Sequence, residues 1–377
     1  MPRKPKNKDA GKDLDTRISE VRQSIDRTDS KLVELLNRRA RLARKIGELK
    51  RQKSQTFYIP GREEEIFDRL KKENKGPFPN GSIHPVFREI ISACRSLEKK
   101  LRVAYLGPEA TFTHLAGRQQ FGHSADFIPE RSISDVFEEV QRGDVDYGVV
   151  PIENSTEGVV THTLDMFLDA DLKICAEIIL EIKHHLLSCE GDIHKVQRVY
   201  SHPHAVAQCR SWLRKHLPGV SIHEVASTAE AARMAAVDRD SSAIASEFAG
   251  RYYNLNLIAQ SIEDLHQNFT RFLVIGPEMG PKSGRDTTSI VYSVKDRPGI
   301  LYEVLGHFAK RGINLSKIES RPLKERPWEY VFFAEMDGHI TDKAIKDSLR
   351  DLEKDCLFVK VLGSFPKRRQ EHQFLGV

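Results

Sequence analysis

Leu101-Arg102-Val103-Ala104-Tyr105-Leu106-Gly107-Pro108-Glu109-Ala110-Thr111-Phe112-Thr113-His114 marks where the character of the chain changes. Its first six residues read as a short buried strand. Thr111 and Thr113 can then cap a helix whose free N–H groups suit an anion. Downstream, the runs at 145–152, 196–201, 220–225, 242–246 and 271–275 read as further strands, and 133–141, 205–217 and 228–237 as helices. That alternation predicts an α/β unit with a largely parallel sheet, in one sheet or two linked lobes, with ligand at the strand C-terminal ends.

Upstream of Leu101 the pattern is helical. Leu14, Ile18, Val21, Ile25, Leu32, Leu35, Leu36, Leu42, Ile46 and Leu49 recur at helical spacing. A helix of roughly 35 residues is about 50 Å long and needs a partner, from later in the chain or from another subunit. A break at Tyr58-Ile59-Pro60-Gly61 precedes a short helix over 62–73, and a turn at 76–81 precedes a third helix carrying Ile83, Ile90, Ile91 and Cys94. At the other end, the Gly- and Pro-rich run 276–284 reads as a linker. Beyond it come strand 288–294, helix 299–311, strands 313–320 and 328–336, helix 342–352 and strand 357–365, the βαββαβ order of a ferredoxin-like fold. Residues 367–377 read as a loose basic tail. The expected fold class is multidomain: an all-α three-helix unit at 10–99, an α/β unit at 101–277 and an α+β ferredoxin-like unit at 286–366.

With 377 residues, 39% hydrophobic and 30% charged, the composition is that of a soluble globular chain with several cores. The longest apolar-looking stretch, Leu172 to Cys189, is broken by Lys173, Glu177, Glu181 and Lys183, so no membrane span is expected. The start Met-Pro-Arg-Lys-Pro-Lys lacks an apolar run behind it, and five Cys without CxxC spacing suit reduced thiols, so a cytoplasmic protein is expected. The net charge of +5 is concentrated in residues 1–53, where 17 Lys/Arg face 8 Asp/Glu. These cations sit at helical register without aromatic or groove-reading residues, which argues for anionic small molecules and against a nucleic-acid or membrane partner. His184, His185, His202 and His204 lack metal-ligand spacing, so no metal is expected. Ser201 and His202 are neighbours on a strand and point to opposite faces, which argues against a nucleophilic pair.

Arg22, Arg39 and Lys50 lie within about 40° of one another on the long helix, with Arg22 and Lys50 roughly 42 Å apart along it. They can share a site only if two copies run antiparallel, in a dimer. Together with Arg62-Glu63 and Glu98, this pattern resembles the all-helical chorismate mutase domain. The resemblance implies that Arg22, Arg39 and Arg62 bind the carboxylates of chorismate, with Arg from both subunits of an intertwined dimer. It further implies that Lys50 binds the ether oxygen, Glu63 the ring hydroxyl, and that Glu98 faces the ether oxygen. The pericyclic rearrangement needs no cofactor, only a held conformer and stabilised charge. Glu98 stands where some relatives have Gln, so it must be protonated to donate. Ile59 replaces an acidic residue and Cys94 a small hydroxyl.

In the α/β unit, GPEATFTH (107–114), VPIENSTEG (150–158), SHPHAVAQC (201–209) and NFTRF (268–272) follow strands and cluster polar groups. In this order they resemble prephenate dehydratase, which implies a two-lobed fold with its site in the cleft. Thr270 is then the residue expected to assist loss of the ring hydroxyl. Thr111, Glu153, Asn154, Ser155, Ser201 and Gln208 are expected to bind substrate, and Arg271 its carboxylate. The last unit resembles the ACT domain, which implies L-phenylalanine bound between two subunits at Gly299, Leu301, Asn314, Glu319, Ser320 and Arg321. Ile300 replaces an Ala common there. Together the three resemblances imply a bifunctional enzyme, rearranging chorismate to prephenate and converting prephenate to phenylpyruvate. It is expected to be inhibited by L-phenylalanine, to need no cofactor, and to form a homodimer or higher homo-oligomer. A dehydratase whose mutase unit is inactive or whose preferred substrate is arogenate, an amino-acid-sensing protein and a nucleic-acid binder stand as the alternatives.

Overall fold

The computed structural model describes residues 8–52, 58–295, 297–323 and 329–367. Within them α1 (Lys8–Gln52), α2 (Pro60–Glu73) and α3 (Asn80–Ser96) form the helical unit. α2 starts with Pro60, whose missing N–H is no loss in a first turn. α3 packs on both α1 and α2. Among the described residues nothing covers most of the apolar stripe on α1: Leu14, Val21, Ile25, Leu32, Leu35, Leu42 and Leu49 are each more than half exposed.

The α/β unit runs β1 (Arg102–Leu106), α4 (Phe112–Phe121), β2 (Asp126–Glu130), α5 (Ile133–Arg142), β3 (Tyr147–Asn154), β4 (Gly158–Val159), α6 (Thr161–Asp169) and β5 (Lys173–Glu181). The chain then crosses into a second lobe of β6 (His185–Ser188), β7 (Arg198–Ser201), α7 (Pro203–Gln208), α8 (Arg210–His216), β8 (Ser221–Glu224), α9 (Thr228–Ala235), β9 (Ser241–Ala245), α10 (Glu247–Tyr252) and β10 (Asn256–Ala259). It crosses back as β11 (Phe269–Gly276). The first sheet has the order β2-β1-β3-β11-β5, with β4 on β3, and the second β10-β6-β9-β7-β8. Of the two arrangements the sequence left open, two linked lobes is the one observed. The expectation of largely parallel sheets needs correction. Only the β1–β2, β1–β3, β7–β8 and β7–β9 pairs are parallel, whereas β5, β6, β10 and β11 pair antiparallel. Those four strands flank the two crossings, where the chain leaves one sheet and must enter or re-enter the other in the reverse sense.

The C-terminal unit is β12 (Asp286–Val294), α11 (Ile300–Ala309), β13 (Leu315–Pro322), β14 (Tyr330–Asp337), α12 (Lys343–Asp355) and β15 (Cys356–Pro366), in one antiparallel sheet of order β13-β14-β12-β15. Gly299 opens α11 with φ 81°, a left-handed conformation that glycine adopts without a Cβ clash. One face of this sheet is covered by its own helices, through Val304, Phe308, Ile345 and Leu352. From the other face Val291, Val331, Phe333, Leu362 and Phe365 enter the core of the first lobe beside Val136, Phe137 and Phe167. Contact is close enough that a Cβ on Gly363 would stand 2.3 Å from the carbonyl oxygen of Ile174. The basic tail read at 367–377 lies, from residue 368, outside the described residues. Among the described residues, no helix is long and apolar enough to cross a membrane.

Candidate functional site

Two separate constellations carry chemistry. The first is a cavity of about 590 Å³ between α1, α2 and α3, with Arg39, Lys50, Arg62, Glu63, Arg95 and Glu98 in its wall. The Lys50 ammonium is 3.8 Å from Glu98 Oε2, an oxygen that is buried and accepts no hydrogen bond among the described residues. Burial pushes the Glu98 carboxyl above its ordinary pKa, against the pull of Lys50, Arg95 and Arg39. α1 and the segment just after α3 come together at Gly47, where an added Cβ would stand 2.9 Å from Glu98 Cβ. Arg39 donates to the Ile90 carbonyl at 3.3 Å, and Arg62 pairs with Glu65 at 2.8 Å on the exposed side. Ile59 and Cys94 both line the cavity, so two positions that read as polar in relatives are apolar or weakly polar here.

Arg22 is not in this cavity. It lies on the exposed face of α1, 17 residues and so about 26 Å from Arg39 along the helix. Arg95, which sequence reasoning passed over, is. Its Nη1 donates to Glu63 Oε1 at 2.5 Å, while its Nη2 donates to the Phe121 carbonyl at 2.7 Å, tying the helical unit to the C-terminal end of α4. Burial pushes the Glu63 carboxyl up, with Arg95 the leading opposing influence. Its basic charge amid the apolar face of α3 was the only sequence signal.

The second constellation sits where the two lobes meet. Asn154 Nδ2 donates to Thr270 Oγ1 at 2.7 Å and to Asn268 Oδ1 at 3.0 Å, which also accepts from Ser155 Oγ at 3.3 Å. Asn268 Nδ2 donates to Gln208 Oε1 at 3.1 Å, and Gln208 Nε2 to Thr156 Oγ1 at 3.2 Å. The loop closes at 2.6 Å from Thr156 Oγ1 to Asn154 Oδ1. His184 Nε2 lies 3.0 Å from Gln208 Oε1 and must be the donor, because an amide oxygen only accepts. Its buried Nδ1 has no partner among the described residues, and burial holds the ring below its ordinary pKa and so neutral. By accepting from Asn154, the Thr270 hydroxyl keeps its own proton available for donation into the cleft. Asn268 and Thr156 complete a ring of neutral donors and acceptors to which His184 is bonded; Asn268 and Thr156 lie in turns that the sequence marked as polar, whereas His184 lies between β5 and β6, outside them.

Four of the expected residues are thus brought together: Asn154, Ser155, Gln208 and Thr270. Thr111 caps α4, accepting from His114 N at 3.3 Å and donating to the Leu106 carbonyl at 3.1 Å. Ser201 is fully buried at the end of β7 and donates to the Ile244 carbonyl at 2.9 Å. Glu153 and Arg271, expected in the cleft, need correction: the structure does not bring them there. Along β11, Phe272 and Val274 join the core that holds Phe121, whereas Leu273 and Ile275 join the core shared with the C-terminal sheet. Period-two alternation therefore puts Thr270 on the first side and Arg271 on the second. In β3 the register slips by one residue at Ile152, so Glu153 stands opposite Arg271 and Asn154 opposite Thr270. Arg271 pairs with Glu177 and Glu335, and Glu153 with Lys317.

Of the residues expected at the effector site, Gly299 and Leu301 begin α11, and Asn314 donates to Asp337 Oδ2 at 3.1 Å. Glu319, Ser320 and Arg321 lie on edge strand β13, where Arg321 Nη1 reaches back to the Thr161 carbonyl at 2.6 Å and to Asp165 at 3.3 Å. Among the described residues, no group of three or more His, Cys, Asp or Glu is placed to hold a metal ion.

Family comparisons match the same three units. Residues 21–99 match the chorismate mutase type II model, 103–280 the prephenate dehydratase model and 288–354 the ACT domain model. The chain is 51% identical over 354 residues to the bifunctional chorismate mutase/prephenate dehydratase of Aquifex aeolicus, covering 93% of this chain and 98% of that protein. It is 44% identical to the enzyme of the same name from Pseudomonas aeruginosa, again over 93% and 98%. In structure it is similar to the prephenate dehydratase of Arthrobacter aurescens solved in complex with L-Phe, with a TM-score of 0.66 and 35% identity, over 71% of this chain and 90% of that one.

Replacing Arg95 by Met strands a buried Glu63 without its partner. Near neutral pH this is expected to cost about 3–5 kcal/mol of stability. The loss shrinks as pH falls toward the raised Glu63 pKa, because a protonated carboxyl no longer needs a cation. Urea unfolding on either side of that pKa checks the sign.

Proposed function

This chain belongs to the bifunctional chorismate mutase/prephenate dehydratase family and is an enzyme with both activities, and on that premise we propose how its residues divide the work. The helical unit is a three-helix mutase acting as an antiparallel dimer, in which Arg22 of each copy completes the cavity of the other. The uncovered stripe on α1 and the absence of Arg22 from its own cavity support this. Arg39, Arg62 and the second copy's Arg22 hold the carboxylates of chorismate. Lys50 and a protonated Glu98 share the ether oxygen, and Glu63, aligned by Arg95, receives the ring hydroxyl. The rate arises from holding the reactive conformer and from cations placed where charge grows.

Prephenate released there is converted to phenylpyruvate in the interlobe cleft. Loss of carbon dioxide and water restores aromaticity, so one weak donor at the departing hydroxyl suffices. Thr270 supplies it, oriented by Asn154, with Ser155 and Gln208 binding substrate and the buried Thr111 and Ser201 supporting the site, one from each lobe. The observation that carries this reading is the closed ring of neutral hydrogen bonds to which Thr270 is attached through Asn154: a site without a strong acid or base is suited to an elimination driven by the substrate. The third unit is a ferredoxin-like ACT domain that binds L-phenylalanine near Gly299, Leu301, Asn314, Glu319 and Ser320 and inhibits. The enzyme works in the cytoplasm.

The reading is tested by giving the purified chain chorismate alone and following chorismate loss and phenylpyruvate formation, with and without L-phenylalanine. Phenylpyruvate should form and L-phenylalanine should suppress it. Prephenate accumulating without phenylpyruvate would refute the cleft assignment, and unchanged chorismate the cavity assignment. Mutase kcat/KM should fall as pH rises through the Glu98 pKa, since only the protonated carboxyl donates. Glu98→Gln should flatten that alkaline limb, and a profile unaltered by the substitution would sink the role. Thr270→Ala should lower dehydratase kcat by about 10²- to 10⁴-fold, the usual range for a lost proton donor, with KM little changed. Equal losses in kcat and in binding would refute a catalytic Thr270.

A further inference from the structure

The strands that carry Asn154 and Thr270 are gripped from behind by the C-terminal unit. Lys317 Nζ, on β13, is 2.6 Å from Glu153 Oε2. Arg271 donates to Glu177 Oε2 at 2.8 Å and to Glu335 Oε1, on β14, at 2.9 Å. The Arg271, Glu177 and Glu335 side chains are only 15%, 9% and 13% exposed, so this is a desolvated cluster whose geometry is stiff. Glu153 is 38% exposed, and its pair with Lys317 alone would hold weakly. Beside the Arg271 cluster, it fixes the second strand.

The residues gripped are the chain neighbours of Asn154 and Thr270. Glu153 opposes Arg271 and Asn154 opposes Thr270, one position on, immediately beside the register slip in β3. A bulge aims the side chains next to it, and a shift of Glu153 or Arg271 is transmitted through one backbone step to the 2.7 Å bond between Asn154 and Thr270. β13 carries its own register slip between Leu315 and Lys317, and Arg321 ties its far end to α6.

We propose that Lys317 and Glu335 are positioning residues for the dehydratase reaction. By holding Glu153 and Arg271 on one face of β3 and β11, they set the alignment of Asn154 and Thr270 on the other. This rests on the dehydratase reading above. It also gives an effector in the C-terminal unit a short route to the cleft, since any movement of β13 or β14 loosens one of the two grips.

The test uses the full chain and its K317M, K317R and E335Q variants, with the exchange K317E/E153K. In each preparation kcat and KM are measured for prephenate, together with the rate of chorismate consumption. K317M and E335Q should lower dehydratase kcat about tenfold, a modest part of what small misplacements of reacting groups cost. KM and chorismate consumption should not change, and K317R and the exchange should recover most of the loss. Unaltered kcat in K317M and E335Q would overturn the proposal. So would a loss that neither K317R nor the exchange repairs, or one that chorismate consumption shares, since either marks a general structural role. An unsubstituted chain that makes no phenylpyruvate from prephenate would refute the dehydratase reading itself, and the positioning role with it.

Discussion

The first lobe and the C-terminal sheet have one apolar core between them, and the rest of the molecule is arranged around that fact. Phe333, Leu362 and Phe365 lie among Phe137, Phe167 and Ile174 as if they belonged to one domain. Removing that sheet would expose Phe137 and Phe167 together, and apolar burial on this scale is what holds a domain folded. The C-terminal unit is therefore not an appendage on a tether. It packs against the sheet that carries Asn154 and Thr270, and of the polar residues at the edge of the contact Arg271, Glu335 and Lys317 are largely covered and Glu153 partly so, because the apolar centre brings the sheets so close.

Much of this organisation was legible in the residues. The spacing of Leu14 through Leu49 is that of one helix, and α1 runs uninterrupted through it. The polar turns after strands marked Asn154, Ser155, Gln208 and Thr270 before any coordinates did. What escaped was set by pairing rather than by local pattern. β5 and β6 fall in a run whose charges look like interruptions, yet Glu177 is the buried partner of Arg271 and Glu181 precedes the crossing. The one-residue slip at Ile152 leaves no trace in a single strand, because it exists only relative to β11, and it reverses which of Glu153 and Asn154 faces the cleft. Arg95 was missed for a similar reason: its partners Glu63 and the Phe121 carbonyl come from other elements.

The two sites solve opposite electrostatic problems. In the helical cavity Arg39, Lys50 and Arg62 leave an excess of positive charge suited to a dianion, and burial sets the protonation of Glu63 and Glu98. In the cleft every member of the hydrogen-bonded ring is neutral, and so is the His184 bonded to it, so the geometry there does not depend on pH in the same way. Arg95 and Ser92 join the two regions by donating to the same Phe121 carbonyl at the end of α4, the helix whose first turn is capped by Thr111.

The double passage of the chain between the lobes has a mechanical consequence. The outgoing and returning segments are bonded to each other, Ile182 N donating to the Asn268 carbonyl at 2.8 Å; the first carries His184, which is bonded to the ring, and the second the ring member Asn268. Two tied segments act as an axle. When one lobe swings against the other, displacement grows with distance from that axle and vanishes on it. The Thr270 ring is bonded to both segments and Thr111 and Ser201 lie farther out, one on each lobe, so a swing of the lobes would move those two more than the ring.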